Sequence, residues 1–224
     1  MELIVKICGL SNQATLAAAL EAGADMVGLV FFPPSPRFVS VSAAAELAEE
    51  ARGRAEITAL TVDADDRILA EIARTVRPDW LQLHGKETPA RVAEIGSRFG
   101  IRTMKAIGVS AAADLARAND YAVVADRLLL DAKAPKGAVL PGGNGAPFDW
   151  ELLRGFRSPL PYMLSGGLTP RNVAEALAVT GAPGVDVSSG VETLPGQKDI
   201  GLIRAFVQNA RRAAANPAIE KVAS

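Results

Sequence analysis

A single (β/α)8 barrel of parallel strands is the fold class that this 224-residue sequence predicts. The prediction rests on three observations. Eight short apolar runs, rich in Val, Ile and Leu, alternate with seven Ala-rich stretches of helical period. Such runs suit strands buried on both faces, where the alternation of polar and apolar residues is weak. The unusual polar residues cluster at the C-terminal ends of those runs, the end at which such barrels carry their chemistry. The rival is a doubly wound open sheet, whose dinucleotide-binding form needs G-x-G-x-x-G after the first strand. Here that position reads "CGLSNQ", which counts against it.

The strand candidates, in order, are Leu3–Cys8, Met26–Phe31, Ile57–Val62, Trp80–Gly85, Thr103–Val109, Arg127–Ala132, Tyr162–Gly167 and Gly184–Gly190. The helix candidates lie between and after them. "SNQATLAAALEAG" has a Ser/Asn cap and closes on Gly23, and "SVSAAAELAEEARG" opens on Ser40 or Ser42 and closes on Gly53. "DDRILAEIARTV", "TPARVAEIGSRFG", "AAADLARAND" and "TPRNVAEALAVTG" repeat the pattern, and "QKDIGLIRAFVQNARRAAA" is the last helix. Two of them begin Thr-Pro, at Thr88 and Thr169; a capping hydroxyl followed by a proline in the first turn suits a helix start. The longest irregular segment, Lys133 to Trp150, follows the sixth strand and is rich in Gly and Pro. A loop of that kind belongs on the catalytic face. Trp150 is read as a core residue packed with Phe148, and "DADD" at 63–66 as a loop and helix start. No linker or repeat divides the chain, so one domain spans 1–224, with a loosely held tail from about 216.

The bulk numbers exclude several classes. Lys and Arg total 24 against 25 Asp and Glu, a net charge of −1. No basic excess points to nucleic acid or to an anionic membrane surface. No apolar run approaches the ~18 residues of a membrane span. The first residues enter a strand directly, without the pattern of a secretion signal. One cysteine cannot form an internal disulfide. A soluble cytoplasmic protein is expected, acting on a small molecule, as a monomer or a homodimer.

Glycines let a backbone approach an anion closely, and N–H groups at the start of a helix favour negative charge. The loops after strands seven and eight form the recurrent phosphate site of these barrels. They carry Ser165-Gly166-Gly167 and Ser188-Ser189-Gly190, which suggests a phosphorylated substrate. Cys8 ends strand one, with Lys6 on the same side by alternation. Asp131 ends strand six, His84 strand four and Asp186 strand eight; Arg37 stands in a rigid Pro-rich loop after strand two. A thiol serves as a general base once ionised and a carboxyl as a general acid while protonated. A nearby cation, for which Lys6 is the candidate, would lower the thiol pKa. Each residue alone has a plainer reading. A single Cys is ordinarily a small buried apolar group. Asp131 could be a cap or an ion-pair partner, Arg37 a surface ion pair, and His84 a hydrogen-bonded structural residue. No ligand-like spacing for zinc or another metal is found.

Together the segments "VKICGL" at 5–10, "GADMVGLVFFPPSPRFVS" at 23–40, "LQLHGKE" at 81–87, "LLLDA" at 128–132, "GGNGAPFDW" at 142–150, "LSGGLTPRNVAEAL" at 164–177 and "GVDVSSGVETLPGQKD" at 184–199 resemble the phosphoribosylanthranilate isomerase family. The resemblance runs over nearly the whole chain. It implies a step of tryptophan biosynthesis, the cofactor-free Amadori rearrangement of N-(5′-phosphoribosyl)anthranilate to 1-(2-carboxyphenylamino)-1-deoxyribulose 5-phosphate. By resemblance, Asp131 is the general acid that protonates the ribose ring oxygen and Cys8 the general base that removes the C2′ proton. Arg37 would hold the anthranilate carboxylate, for which a planar guanidinium is well matched. Gly166, Gly167, Ser188, Ser189 and Gly190 would hold the phosphate, while Lys6, His84 and Asp186 line the site. The alternative is the related aminoaldose–ketose isomerase of histidine biosynthesis, or a bifunctional enzyme. That isomerase is expected to use two carboxylates, and here strand one ends in Cys.

Overall fold

The computed structural model describes residues 2–133 and 148–215. The eight expected strands are β1 (Ile4–Cys8), β2 (Met26–Val30), β3 (Glu56–Thr61), β4 (Trp80–Leu83), β5 (Arg102–Val109), β6 (Arg127–Ala132), β7 (Tyr162–Leu164) and β8 (Gly184–Val187). They pair in parallel with their sequence neighbours, and β8 closes on β1 with Lys6 opposite Asp186. In five of the eight the ladder stops short of the sequence boundary, at Val30, Thr61, Leu83, Leu164 and Val187. The residues beyond turn out of the sheet as loops, and His84, Gly166, Gly167 and Ser188 are among them.

Six helices follow at the expected places. Helix α1 (Gln13–Ala22) is capped by Asn12 and stopped by Gly23 at φ 86°. Helix α2 (Val41–Ala51) takes Ser40 as its cap, and Arg52 and then Gly53, at φ 76°, close it. Helices α3 (Asp66–Thr75) and α4 (Pro89–Phe99) begin behind the Asp65 and Thr88 side chains. In each of these four a side-chain oxygen accepts from a backbone N–H of the first turn that would otherwise lack a partner. Helix α5 (Ala112–Ala116) is short and continues as a 3-10 turn over Arg117–Tyr121. Helix α6 is Val173–Thr180. The Thr169 hydroxyl and the Asn172 amide tie residues 169–172 into a turn, and Asn172 Nδ2 also donates to Gly167 O at 2.9 Å. Val173 N also donates to Thr169 O at 3.1 Å, so Thr169 caps a first turn as the Thr-Pro signal predicts, and the regular ladder begins only at Val173.

The last helix differs more. Helix α7 (Ile200–Ala215) begins after Asp199, whose Oδ1 accepts from Leu202 N at 2.8 Å. Gln197 and Lys198, expected in that helix, form strand β10, which pairs antiparallel with β9 (Glu192–Leu194). Gly196, in the two-residue turn between them, sits at φ 82°, a conformation open to Gly at little cost.

Two apolar layers hold the barrel. Between strands and helices, α7 buries Ile203, Phe206, Val207 and Ala210 completely. Burying one Phe in this way stabilises by about 2–3 kcal/mol. Inside the barrel Met26, Trp80, Met104, Leu129 and Met163 pack together. Arg102 and Arg127 stack their guanidinium carbons 4.3 and 4.5 Å from the Trp80 ring centre, near the N-terminal ends of their strands. Trp150 and Phe148 pack, partly buried, against the outer core. No helix of the described residues is long and apolar enough to cross a membrane. Most of the Gly/Pro-rich segment after β6 and the tail from 216 lie outside the described residues.

Candidate active site

The strand ends surround a cleft of about 670 Å³, its open mouth included. Its walls carry Cys8, Arg37, His84, Asp131, Asp186 and Ser188. Gly166, Gly167 and Ser189 lie on the same rim, and Val30, Phe32, Leu60 and Val62 make one side of it apolar. Thus nine of the eleven residues singled out in the sequence share one cavity. The two others are Lys6 and Gly190. Lys6 is fully buried and lies outside the cavity lining. Gly190 packs so tightly on the Leu168 carbonyl that a Cβ there would collide with it.

Cys8 reaches the cavity because β2 carries Gly28 opposite it; a Cβ on Gly28 would lie 2.8 Å from the sulfur. The thiol is nearly enclosed, at 3% exposure. Burial pushes its pKa up, and the Lys6 and Lys198 ammonium groups pull against that without cancelling it. Lys6 donates to Asp186 Oδ1 at 2.8 Å, and Ser165 Oγ to Asp186 Oδ2 at 3.3 Å. Burial works against the Lys6 charge, but the Asp186 carboxylate and the Cys8 sulfur outweigh it and hold the ammonium above its usual range. A cation therefore stays fixed beneath the thiol.

Asp131 is 4% exposed, and both its oxygens accept hydrogen bonds. Oδ1 accepts from Ala132 N at 2.9 Å, and Oδ2 lies 3.2 Å from His84 Nε2. The other ring nitrogen of His84 lies 2.9 Å from Gln82 Nε2. An amide nitrogen only donates, so His84 Nδ1 is the acceptor and Nε2 carries the hydrogen. Gln82 thus selects the tautomer that gives a hydrogen to Asp131. Gln82 faces the cavity two residues before His84 on β4, so the alternation used for Lys6 and Cys8 was the signal that could have found it.

The loop that carries His84 is anchored from outside the barrel. Lys105 on β5 donates to Leu83 O, Gly85 O and Glu87 Oε2 at 3.0, 2.7 and 2.7 Å. Glu87 Oε1 accepts from Asp63 N at 2.9 Å, linking the loops after β3 and β4. Lys105 and Glu87 are both buried, and neither was singled out in the sequence. In a plain pattern of apolar strands, nothing marks a buried ion pair.

On the rim, Gly166 and Gly167 both have positive φ, 86° and 66°. The N–H groups of Gly166, Gly167, Ser189 and Gly190 donate to no acceptor among the described residues. Unpaired N–H groups on glycine-rich turns suit an anion.

Arg37 lies over the end of β1, with its aliphatic part against Gly9, whose φ is 78°. It is only 6% exposed and is not a free surface cation. Nε and Nη2 donate to Glu192 Oε1 and Oε2 at 2.7 and 2.8 Å. Lys198 Nζ donates to Glu192 Oε1 at 2.6 Å and to Ser188 O at 3.0 Å. Glu192 and Lys198 were missed because the residues around them were assigned to a loop and a helix. The Pro195-Gly196 turn was the available signal for the hairpin.

Residues 5–209 match the family model described as N-(5′-phosphoribosyl)anthranilate (PRA) isomerase. A protein of Afipia carboxidovorans named N-(5′-phosphoribosyl)anthranilate isomerase is 61% identical over 217 residues, 97% of this chain and 93% of that protein. The crystal structure of phosphoribosyl anthranilate isomerase from Thermotoga maritima superposes with a TM-score of 0.85 at 37% identity, covering 94% of this chain and 99% of that one. A phosphoribosyl anthranilate isomerase in complex with reduced 1-(o-carboxyphenylamino)-1-deoxyribulose 5-phosphate superposes with a TM-score of 0.82 at 35% identity, with the same coverage.

Proposed function

This chain belongs to the N-(5′-phosphoribosyl)anthranilate isomerase family, and from that premise we propose how its own residues carry out the isomerisation of N-(5′-phosphoribosyl)anthranilate to 1-(o-carboxyphenylamino)-1-deoxyribulose 5-phosphate. The observation that carries the reading is one cavity bearing a buried thiol, a buried carboxyl and a rim of backbone N–H groups without an acceptor among the described residues.

Asp131, as the acid, gives its proton to the ribose ring oxygen. The C1′–O bond breaks while the anthranilate nitrogen lone pair forms a C1′=N iminium. The positive iminium acidifies the C2′ hydrogen. Cys8, as thiolate, takes that proton, and the C2′–H electron pair forms C1′=C2′ as the iminium electrons return to nitrogen. The enolamine gains a proton at C1′ and loses the hydroxyl proton at C2′, leaving a ketone. C2′ is oxidised and C1′ reduced by two electrons each, so the chemistry calls for no external oxidant. Acid and base placed in this way each contribute about 10²- to 10⁴-fold.

The phosphate would occupy the rim formed by Gly166, Gly167 and Ser189, with Gly190 packed behind it on the Leu168 carbonyl. The apolar side made by Val30, Phe32, Leu60 and Val62 suits an aromatic ring, and Arg37 suits its carboxylate. Lys6 acts from below, supporting Cys8 rather than touching substrate, and Asp186 fixes it there from the cavity wall. The direct experiment mixes purified protein with N-(5′-phosphoribosyl)anthranilate and follows the fluorescence of the anthranilate group. Its emission is expected to decay with turnover. No decay, or turnover only of the histidine-pathway aminoaldose, would overturn the reading.

A further inference from the structure

We propose that Glu192, with Lys198 as its charge balance, is the positioning residue that aims Arg37 at the substrate carboxylate; the inference rests on Arg37 as the carboxylate ligand. A guanidinium offers two bidentate edges, Nε/Nη2 and Nη1/Nη2. Glu192 occupies the first with a 2.7 Å and a 2.8 Å hydrogen bond. Nη1 donates to none of the described residues, and Arg37 lines the cavity. The second edge is therefore what an incoming carboxylate meets, in a plane that Glu192 has already set.

Charge decides whether such a clamp still attracts an anion. Arg37 and Glu192 alone would cancel. Lys198 adds a second cation on Glu192 Oε1 at 2.6 Å, with its side chain 1% exposed. Two cations against one anion leave a net charge of +1, screened little by water. Burial works against the Glu192 charge, yet Arg37 and Lys198 outweigh it and hold its carboxyl below the usual range. Glu192 itself is saturated, because Oε2 also accepts from Gly196 N at 3.2 Å. It has little left to offer a substrate, so it acts through Arg37.

The hairpin has the shape this role needs. Glu192 and Lys198 are cross-strand partners in β9 and β10, so both side chains leave one face together. The turn glycine, Gly196, packs on the Pro36 carbonyl with no room for a Cβ. The hairpin thus holds the backbone before Arg37 with its turn and the guanidinium with its first strand, while Gly9 supports the side chain from below. This gives "VETLPGQKD" a task that phosphate binding and acid–base chemistry leave open.

The test compares two substrates, N-(5′-phosphoribosyl)anthranilate and N-(5′-phosphoribosyl)aniline, which lacks the carboxylate. The native enzyme is expected to prefer the first; no preference would overturn the Arg37 reading itself. In Glu192→Gln, kcat/KM for the anthranilate substrate is expected to fall about 10- to 100-fold, chiefly through KM, as an aimed charge-assisted contact is lost. For the aniline substrate it should change little. Equal losses on both substrates, which a merely structural role would produce, would overturn the inference, as would an unchanged KM for the anthranilate substrate. Glu192→Asp keeps the charge but is one methylene short, so its loss should fall between those of native and Gln enzymes and again be confined to the carboxylate substrate. It carries the same comparison if the Gln variant does not fold.

Discussion

His84 donates to Asp131 across 3.2 Å with a ring whose tautomer is set by Gln82 on the far side. All three side chains project from strand ends into the same cavity. Replacing Gln82 by Leu keeps the volume but removes the donor at Nδ1. His84 can then carry its hydrogen on Nδ1 and withdraw it from Asp131. One neutral hydrogen bond is worth about 1 kcal/mol net, so kcat is expected to fall about 5-fold with KM nearly constant. Steady-state kinetics check this, and a change in KM alone would contradict it.

Cys8→Ala and Asp131→Asn should each lower kcat by about 10²- to 10⁴-fold, the usual worth of a positioned base or acid. The phosphate rim, Arg37 and the apolar wall are untouched in both variants. Binding of a reduced product analogue, followed by fluorescence titration, should therefore stay close to native. Near-normal turnover in either variant would remove its assigned role.

The buried thiol makes a pH prediction with a definite sign. Its pKa lies above the ordinary thiol value, so the thiolate fraction is small at neutral pH and grows as pH rises past that value. The rate of Cys8 alkylation by a small reagent should climb through neutral pH without levelling off. Lys6→Met removes a cation that favours the thiolate and leaves Asp186 beside it, which moves the alkylation curve to still higher pH. A curve that moves down would refute the electrostatic account.

Lys105→Met tests how the β4 loop is held. The change leaves the Glu87 carboxylate and two backbone carbonyls buried without their ammonium. Breaking a buried pair in this way costs about 3–5 kcal/mol. Denaturant unfolding should show that loss, and kcat should fall with it because His84 stands on the same loop. A variant of native stability would show the pair to be dispensable.

The fold was legible because its signals are local. Apolar runs of strand length and capped helices of period 3.6 need no partner to be recognised, and all eight strands formed where those runs lie. Differences arose at two helix starts. At Thr169 the capped turn forms, but the regular ladder of α6 begins only at Val173. Gln197 and Lys198 paired with β9 instead of extending α7. The latter is a choice between hydrogen-bond partners of similar worth, which the residues beside it do not settle.

Strand-end position and residue type were enough to mark Cys8, Arg37, His84, Asp131 and the two glycine-rich rims in the sequence, since alternation and chain direction alone place such residues at a barrel mouth. Tertiary structure decided who partners whom. It put Lys6 on Asp186 beneath the thiol, His84 on Asp131, and Glu192 on Arg37 across 155 positions of chain, with Lys198 on Glu192. Charge balance and desolvation depend on distances between residues far apart in sequence, so they come into being only when the barrel closes.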